Sequence, residues 1–222
     1  MNLRPLVWHD AQRVVSRPDG PIAALAQLVD DPSELDVLIG IEGLTNPLAR
    51  EAAGALATIP PARRYFGAVA GLVMTPFVLP GVSRFSDGTR YGVLYAAGTI
   101  DTALREAGHH HALRLVAAAA PAGTTVAAYS FSLHVDTVVA DVRRSTGGDA
   151  ALYDANSYAV AQAYGRQVRD AGHNGVHYDS VRHPIGECAG LFWPDTVRTA
   201  RPGDEWRCYF DGATITEYAR VA

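Results

Sequence analysis

The stretch Ser83-Arg84-Phe85-Ser86-Asp87-Gly88 is the densest polar cluster in an otherwise apolar part of the chain, and Tyr95 and Glu106 follow it closely. Each of these residue types has a distinct chemical use. The guanidinium of an arginine is a planar fork that matches phosphate oxygens two at a time. A carboxylate beside a sugar ring stabilises positive charge as it develops, as in glycoside cleavage. A tyrosine ring offers a flat face for stacking and a hydroxyl for bonding. Plainer roles stay open for all three: Glu106 as an exposed helix carboxylate, Arg84 as the ion-pair partner of Asp87, and Tyr95 as a core residue of a buried strand.

Other chemistries are excluded more firmly. The chain has no GxGxxG, GxxxxGK, HExxH or GxSxG pattern, which disfavours the familiar nucleotide, zinc-protease and serine-hydrolase sites. All 19 basic residues are arginine, so there is no lysine for a Schiff base, a pyridoxal phosphate anchor or a P-loop. The consecutive histidines His109, His110 and His111 point three ways around a helix and cannot chelate one ion, and His173, His177 and His183 lack a carboxylate-rich or cysteine-rich setting. No metal site is expected. Cys188 and Cys208 form no CxxC pair and are expected to be buried, reduced thiols. A net charge of −4 and a pI near 6.0 give no basic surface for nucleic acid. No apolar run is long enough to span a bilayer, and the N-terminus lacks a signal-peptide pattern, so the expectation is a cytoplasmic protein without a membrane partner.

The elements that must position these residues can be read in outline. The first sixty residues read as helical, over 21–29, 33–38 and 47–58, with Asn46 as N-cap and Pro47 at the first helical position of the last. An apolar run over 69–78 is interrupted by Pro76, and 81–92 reads as an ordered loop. Residues 92–97 form a short buried strand, and a helix capped by Thr99 or Asp101 runs to about Ala117. A strand over 124–133 follows. Asp154 caps a second helix, ending at Gly172, whose buried stripe is Val160, Tyr164, Val168 and Ala171. From Gly175 onward the pattern is β, over 175–182, 188–193 and 205–210, and Asp211-Gly212 signals a type I′ hairpin into 213–221. The sum is an α+β chain: a helical N-terminal extension over 1–60 and a single compact unit over 61–222.

The order of three segments carries a resemblance. Gly81 to Gly88 with Arg84, Gly92 to Ala97 with Tyr95, and Thr102 to Glu106, followed by Ser180 and Arg182 in the stretch Gly175 to Pro184 and then by Leu191 to Pro194, resemble the RES-domain toxins over about two-thirds of the chain. The resemblance implies a mixed-sheet core related to ADP-ribosyltransferases. It also implies a toxin of a toxin–antitoxin pair that cleaves the nicotinamide–ribose bond of NAD. ADP-ribose would pass to water or phosphate, or alternatively to a cellular protein. Glu106, Arg84, Tyr95 and Ser180 become the expected catalytic residues, with Arg64, Tyr65 and Arg182 holding the substrate; Arg64 lies at the family's distance ahead of the loop arginine. Nicotinamide is a good leaving group, so no second catalytic carboxylate is required. The expected partner is an Xre-like antitoxin that plugs the cleft. A non-enzymatic binding module is the competing class, favoured by the lack of any other catalytic signature.

Overall fold

The computed structural model describes residues 1–16, 37, 41–42, 54–155 and 157–221. Its elements, in chain order, are β1 (Leu3–Val15), α1 (Ala70–Val78), β2 (Leu94–Ala97), α2 (Ile100–Ala117), β3 (Thr125–Asp141), α3 (Ala159–Asp170), β4 (Gly175–Asp179), β5 (Glu187–Leu191), β6 (Val197–Phe210) and β7 (Ile215–Arg220). The chain is therefore α+β, built on a seven-stranded mixed sheet of order β1-β2-β5-β4-β3-β6-β7. An additional β1–β3 pairing closes the first five strands into a ring. The ring is seamed by short pairings: Gln12 opposite Ala97 joins β1 to β2, and a two-residue parallel register, Ala140 to Val176 and Asp141 to His177, joins β3 to β4.

The long antiparallel register of β1 on β3, from Leu3 opposite Ala140 to Val15 opposite Tyr129, corrects the expected helical extension at its start. Residues 3–15 are a strand of the main sheet. Leu6 and Ala11 of β1 both join one buried cluster although they are five residues apart, because the register shifts between Trp8 and Ala11, and Val7, His9 and Asp10 between them are exposed. Residues 37, 41–42 and 54–57 are helical, and the remainder of the helices expected before residue 54 lies outside the described residues.

Three apolar clusters form the core among the described residues, a small one around Ala112, Cys208, Phe210 and Ile215 and two larger ones. One joins Leu6, Leu94, Leu133 and Leu191 to Val73, Met74 and Phe77 of α1. The other joins Phe85, Ala103, Ala161, Val176, Tyr178 and Cys188, and so glues α2, α3 and the 83–86 loop to the sheet. α2 forms where expected, with the side chain of Thr99 accepting the Thr102 amide as its N-cap. α3 starts later than expected, at Ala159 with Tyr158 as its N-cap, and the Asp154 carboxylate accepts the Ser157 amide ahead of it. Its buried face is Ala161, Gly165 and Val168, whereas Val160 is 49% exposed; only Val168 of the expected stripe is buried. The β6–β7 connection is a four-residue loop between Phe210 and Ile215 rather than a two-residue type I′ turn. The Asp211 carboxylate organises it by accepting the amides of Ala213 and Thr214 and the Thr214 hydroxyl. Both cysteines are free and buried, and no described helix is long and apolar enough to cross a membrane.

Candidate active site

The 83–86 loop is a tight turn closed by the Ser83 amide donating to the Ser86 carbonyl at 2.8 Å. Three residues hold it from below. Phe85 is buried edge-on against Tyr178, with ring centroids 5.0 Å apart. Tyr95 on β2 accepts the Phe85 amide at 3.0 Å and donates its hydroxyl to Ser83 Oγ at 3.0 Å. Tyr91 donates to the Phe85 carbonyl at 2.8 Å, while the Ser86 hydroxyl returns a bond to the Tyr91 carbonyl at 2.6 Å. From above, Gln162 of α3 donates to the Ser83 and Ser86 carbonyls. Gly88 must be glycine: its φ is +77°, and a Cβ there would lie 2.9 Å from the backbone of Gly81 and Val82.

This scaffold fixes Arg84. Its Nη1 donates to the carbonyls of Leu152 and Asp154 at 2.9 and 3.0 Å, and the guanidinium lies over the Tyr158 ring, 4.7 Å from its centroid. The side chain is buried yet contributes to the wall of a cavity. The alternative pairing with Asp87 does not occur, because Asp87 is taken by Arg166 at 3.1 Å.

That cavity has a volume of about 390 Å³ and gathers Arg84, Tyr95, Glu106 and Arg182 from four separate segments. Glu106 projects from α2, and its Oε1 accepts the Ser180 hydroxyl at 2.5 Å. Ser180 is itself pinned, its Oγ accepting the amides of Arg182 and His183 at 3.1 and 2.9 Å. Four of the expected residues thus line one cavity, and Ser180 supports one of them from just behind the wall. Burial pushes the Tyr95 hydroxyl far above its usual pKa, so it stays protonated and acts as a hydrogen-bond donor to Ser83. Cys188 and Tyr178, also in the wall, are held protonated by burial first; the charge of Glu106 comes second for Cys188, and Cys188 and then Glu106 follow for Tyr178. Neither is a nucleophile at neutral pH.

Arg64 and Tyr65 are not in this cavity. The Arg64 guanidinium donates to the carbonyls of Ile59 and Leu56 at 3.0 and 3.1 Å, and Tyr65 is buried in the other large apolar cluster, donating to the Ala68 carbonyl at 3.2 Å. An arginine that the sequence reading missed, Arg13 of β1, stands in the cavity wall instead. It donates from Nη1 to the Tyr95 carbonyl at 2.8 Å and buries an Nε that has no partner among the described residues. Burial lowers its pKa to about 10, with the Tyr95 ring opposing the shift, so it is a cation whose stability calls for an anion. The signal available was the pair of β-branched residues Val14 and Val15 next to Arg13, but it stood in a segment read as helical. Tyr158, Tyr178 and Arg114 are further wall residues not singled out in advance, and His111, weighed only as a metal ligand, lines the wall as well. Among the described residues no cluster of three or more histidine, cysteine, aspartate or glutamate side chains could hold a metal ion.

Residues 56–211 match the family model described as the RES domain. No curated protein matches the chain. Among solved structures, a chain of the crystal structure of the M. tuberculosis MbcT–MbcA toxin–antitoxin complex is similar at 10% identity and a TM-score of 0.44, over 90% of this chain and 86% of that one.

Proposed function

The chain belongs to the RES-domain family, and from that premise we propose that it is a toxin that cleaves the nicotinamide–ribose bond of NAD and passes ADP-ribose to water or phosphate. The observation that supports it best is the Glu106–Ser180 pair, a carboxylate held at 2.5 Å by a serine hydroxyl in a cavity walled by Arg13, Arg84 and Arg182. Cleavage is heterolytic. The bonding pair of the C–N bond leaves with nicotinamide and neutralises its ring nitrogen, and the ribose becomes an oxocarbenium-like cation. Glu106 supplies the negative charge that stabilises that cation, and Ser180 keeps the carboxylate from rotating away. The acceptor oxygen then forms the new bond to the ribose carbon, a water losing its proton to solvent.

The arginines suit the other end of the substrate. A pyrophosphate takes guanidinium donors in pairs, and the buried Nε of Arg13, unpartnered among the described residues, is a donor of that kind. Nicotinamide leaves without protonation, which fits a cavity in whose wall Glu106 is the one carboxylate among the described residues. As a family toxin the protein takes an Xre-like antitoxin as its neutralising partner, tested by co-expression and co-purification.

The direct test is incubation of the purified protein with NAD while following nicotinamide release, in water, with phosphate, and with a lysate as acceptor. Release is expected in at least one arm, and the arm in which it accelerates identifies the acceptor, a labelled cell protein marking ADP-ribosyl transfer. Glu106→Gln keeps the size of the side chain and loses its charge, and is expected to cut turnover by roughly a hundredfold or more. No release and no label transfer in any arm would overturn the proposal.

A further inference from the structure

The cleavage reading assigns Ser180 to hold Glu106, but it leaves open what holds Ser180, which sits on a loop beyond the end of β4. Within the loop, the Ser180 amide donates to the Gly186 carbonyl at 2.7 Å and the Gly186 amide to the His183 carbonyl at 2.9 Å. These bonds shape the turn without fixing where it lies relative to α2. The Ser180–Glu106 bond is one point of attachment to α2, while the pairing of Asp179 with Glu187 holds the two ends of the loop to the sheet.

His183 supplies the second point. Its Nδ1 meets Thr102 Oγ1 at 2.8 Å, and its Nε2 meets Asp101 Oδ2 at 3.3 Å. Thr102 and Glu106 are four residues apart on α2, one helical turn on the same face, so the two attachments are stacked along the helix. The tautomer that carries its proton on Nε2, beside the Asp101 carboxylate, leaves Nδ1 to accept from the Thr102 hydroxyl. Thr102 Oγ1 is then free to accept from the Thr99 hydroxyl, 2.8 Å away, while Thr99 caps the helix by accepting the Thr102 amide. The fit leaves no slack, since a Cβ on Gly186 would stand 2.5 Å from Thr102 Oγ1 and 3.0 Å from His183 Nδ1. Of the two contacts the one to Thr102 counts for more, because Thr102 is wholly buried whereas the Asp101 side chain is 53% exposed and its ion pair is screened by water.

We infer that His183 is a positioning residue for the cleavage step: clamped to Thr102 and Asp101, it holds the 180–186 loop in the one placement where the Ser180 hydroxyl meets Glu106. The inference rests on the NAD-cleavage reading for its kinetic consequence and on geometry alone for the clamp. It acts on the chemical step more than on binding, because it orients the carboxylate that faces the developing cation.

The test uses the full chain. Thr102→Val keeps the shape of the side chain and removes the hydroxyl, and His183→Leu removes both ring nitrogens. Both are expected to lower kcat roughly tenfold to a hundredfold with KM for NAD changed by less than about twofold, and His183→Asn, which can still accept from Thr102, to regain most of the loss. Hydrogen exchange in Thr102→Val is read in parallel: the amides of Arg182 and His183, bonded to Ser180 Oγ, are expected to lose protection while the amides of β5 keep theirs. Unchanged kcat together with unchanged protection in Thr102→Val overturns the inference, as does a rise in KM alone. If the wild-type protein releases no nicotinamide, the NAD reading fails by itself, and the exchange comparison still decides the clamp. If His183→Leu does not fold, Thr102→Val decides.

Discussion

Arg13 and Arg64 show how two residues of the same type are told apart by what their donors meet. The Arg64 guanidinium is spent on the carbonyls of Leu56 and Ile59, which closes a turn, whereas Arg13, beside the cavity, keeps a buried Nε without a partner among the described residues. Arg13→Gln is therefore expected to raise KM for NAD about tenfold, the loss of one charge-assisted contact to a phosphate. Arg64→Gln is expected to leave KM unchanged and to lower stability by about 1–3 kcal/mol, since two carbonyls lose a donor. Kinetics and urea unfolding of the two variants separate the roles, and a KM effect in Arg64→Gln would return it to the site. His111 carries a second prediction at this scale. It is 4% exposed, and burial first, then the charges of Arg114 and His110, lower its pKa to about 4 from 6.5. The unfolded chain takes up this proton near pH 6.5 and the fold resists it until about pH 4, so its contribution is complete above 6.5 and drains as pH falls to about 4. His111→Leu has no such proton to resist, and its unfolding free energy is expected to fall less than that of the wild type between neutral pH and the acid end of that window. Equal losses would mean that His111 titrates normally in the fold.

At the scale of elements, α2, the 83–86 loop and the turn after β4 meet because each obeys a local rule that the sequence displays. Thr99 caps, Gly88 turns, and the spacing of Thr102 and Glu106 puts both on one helix face; Arg84, Tyr95, Glu106 and Ser180 were legible through the ordered segments that resemble the RES-domain toxins, and the fold brings Ser180 to Glu106 and the other three to one cavity. What could not be read was set by partners distant in sequence. β3 runs to Asp141, past the expected end at 133, because β1 lies along it from Tyr129 to Ala140. Val160 faces out because the close contact of α3 with the loop runs through Gly165 instead, and nothing in a helical period distinguishes a glycine placed for close approach from one placed by chance. A Cβ at Gly165 would lie 2.3 Å from the Phe85 carbonyl oxygen. Gly165→Ala is thus expected to push α3 off the loop, lowering stability by about 1–3 kcal/mol and weakening activity through Arg84, although alanine is the better helix former. A stabilised variant with full activity would show that α3 does not hold the loop in place.

For the molecule as a whole, the part that resembles the family and the part that folds are not the same. The family match covers 56–211, yet β1, at residues 3–15, lies between β2 and β3 and closes the ring. Without it, β3 would present an edge of unpaired amides and carbonyls from Tyr129 to Ala140, and Leu133, Val135 and Val139, all now buried, would lose the cover of Leu6 and Ala11. The same cut would take Arg13 from the cavity, so no fragment without β1 can be both folded and complete at the site. A fragment of residues 56–211 lacks β7 as well, and with it Ile215, which packs with Ala112, Cys208 and Phe210. Such a fragment, and a chain starting at residue 17, are both expected to show no cooperative thermal transition and to expose apolar surface to a reporter dye, while the full chain melts in one step. A sharp melt from the chain starting at residue 17 would mean that the ring stands without its first strand. A sharp melt together with retained turnover would also remove Arg13 from the substrate site. The closure that makes β1 indispensable also explains why it is invisible locally: a strand that pairs with residues 129–140 is specified by a partner more than a hundred positions away, and its own sequence shows only a weak alternation.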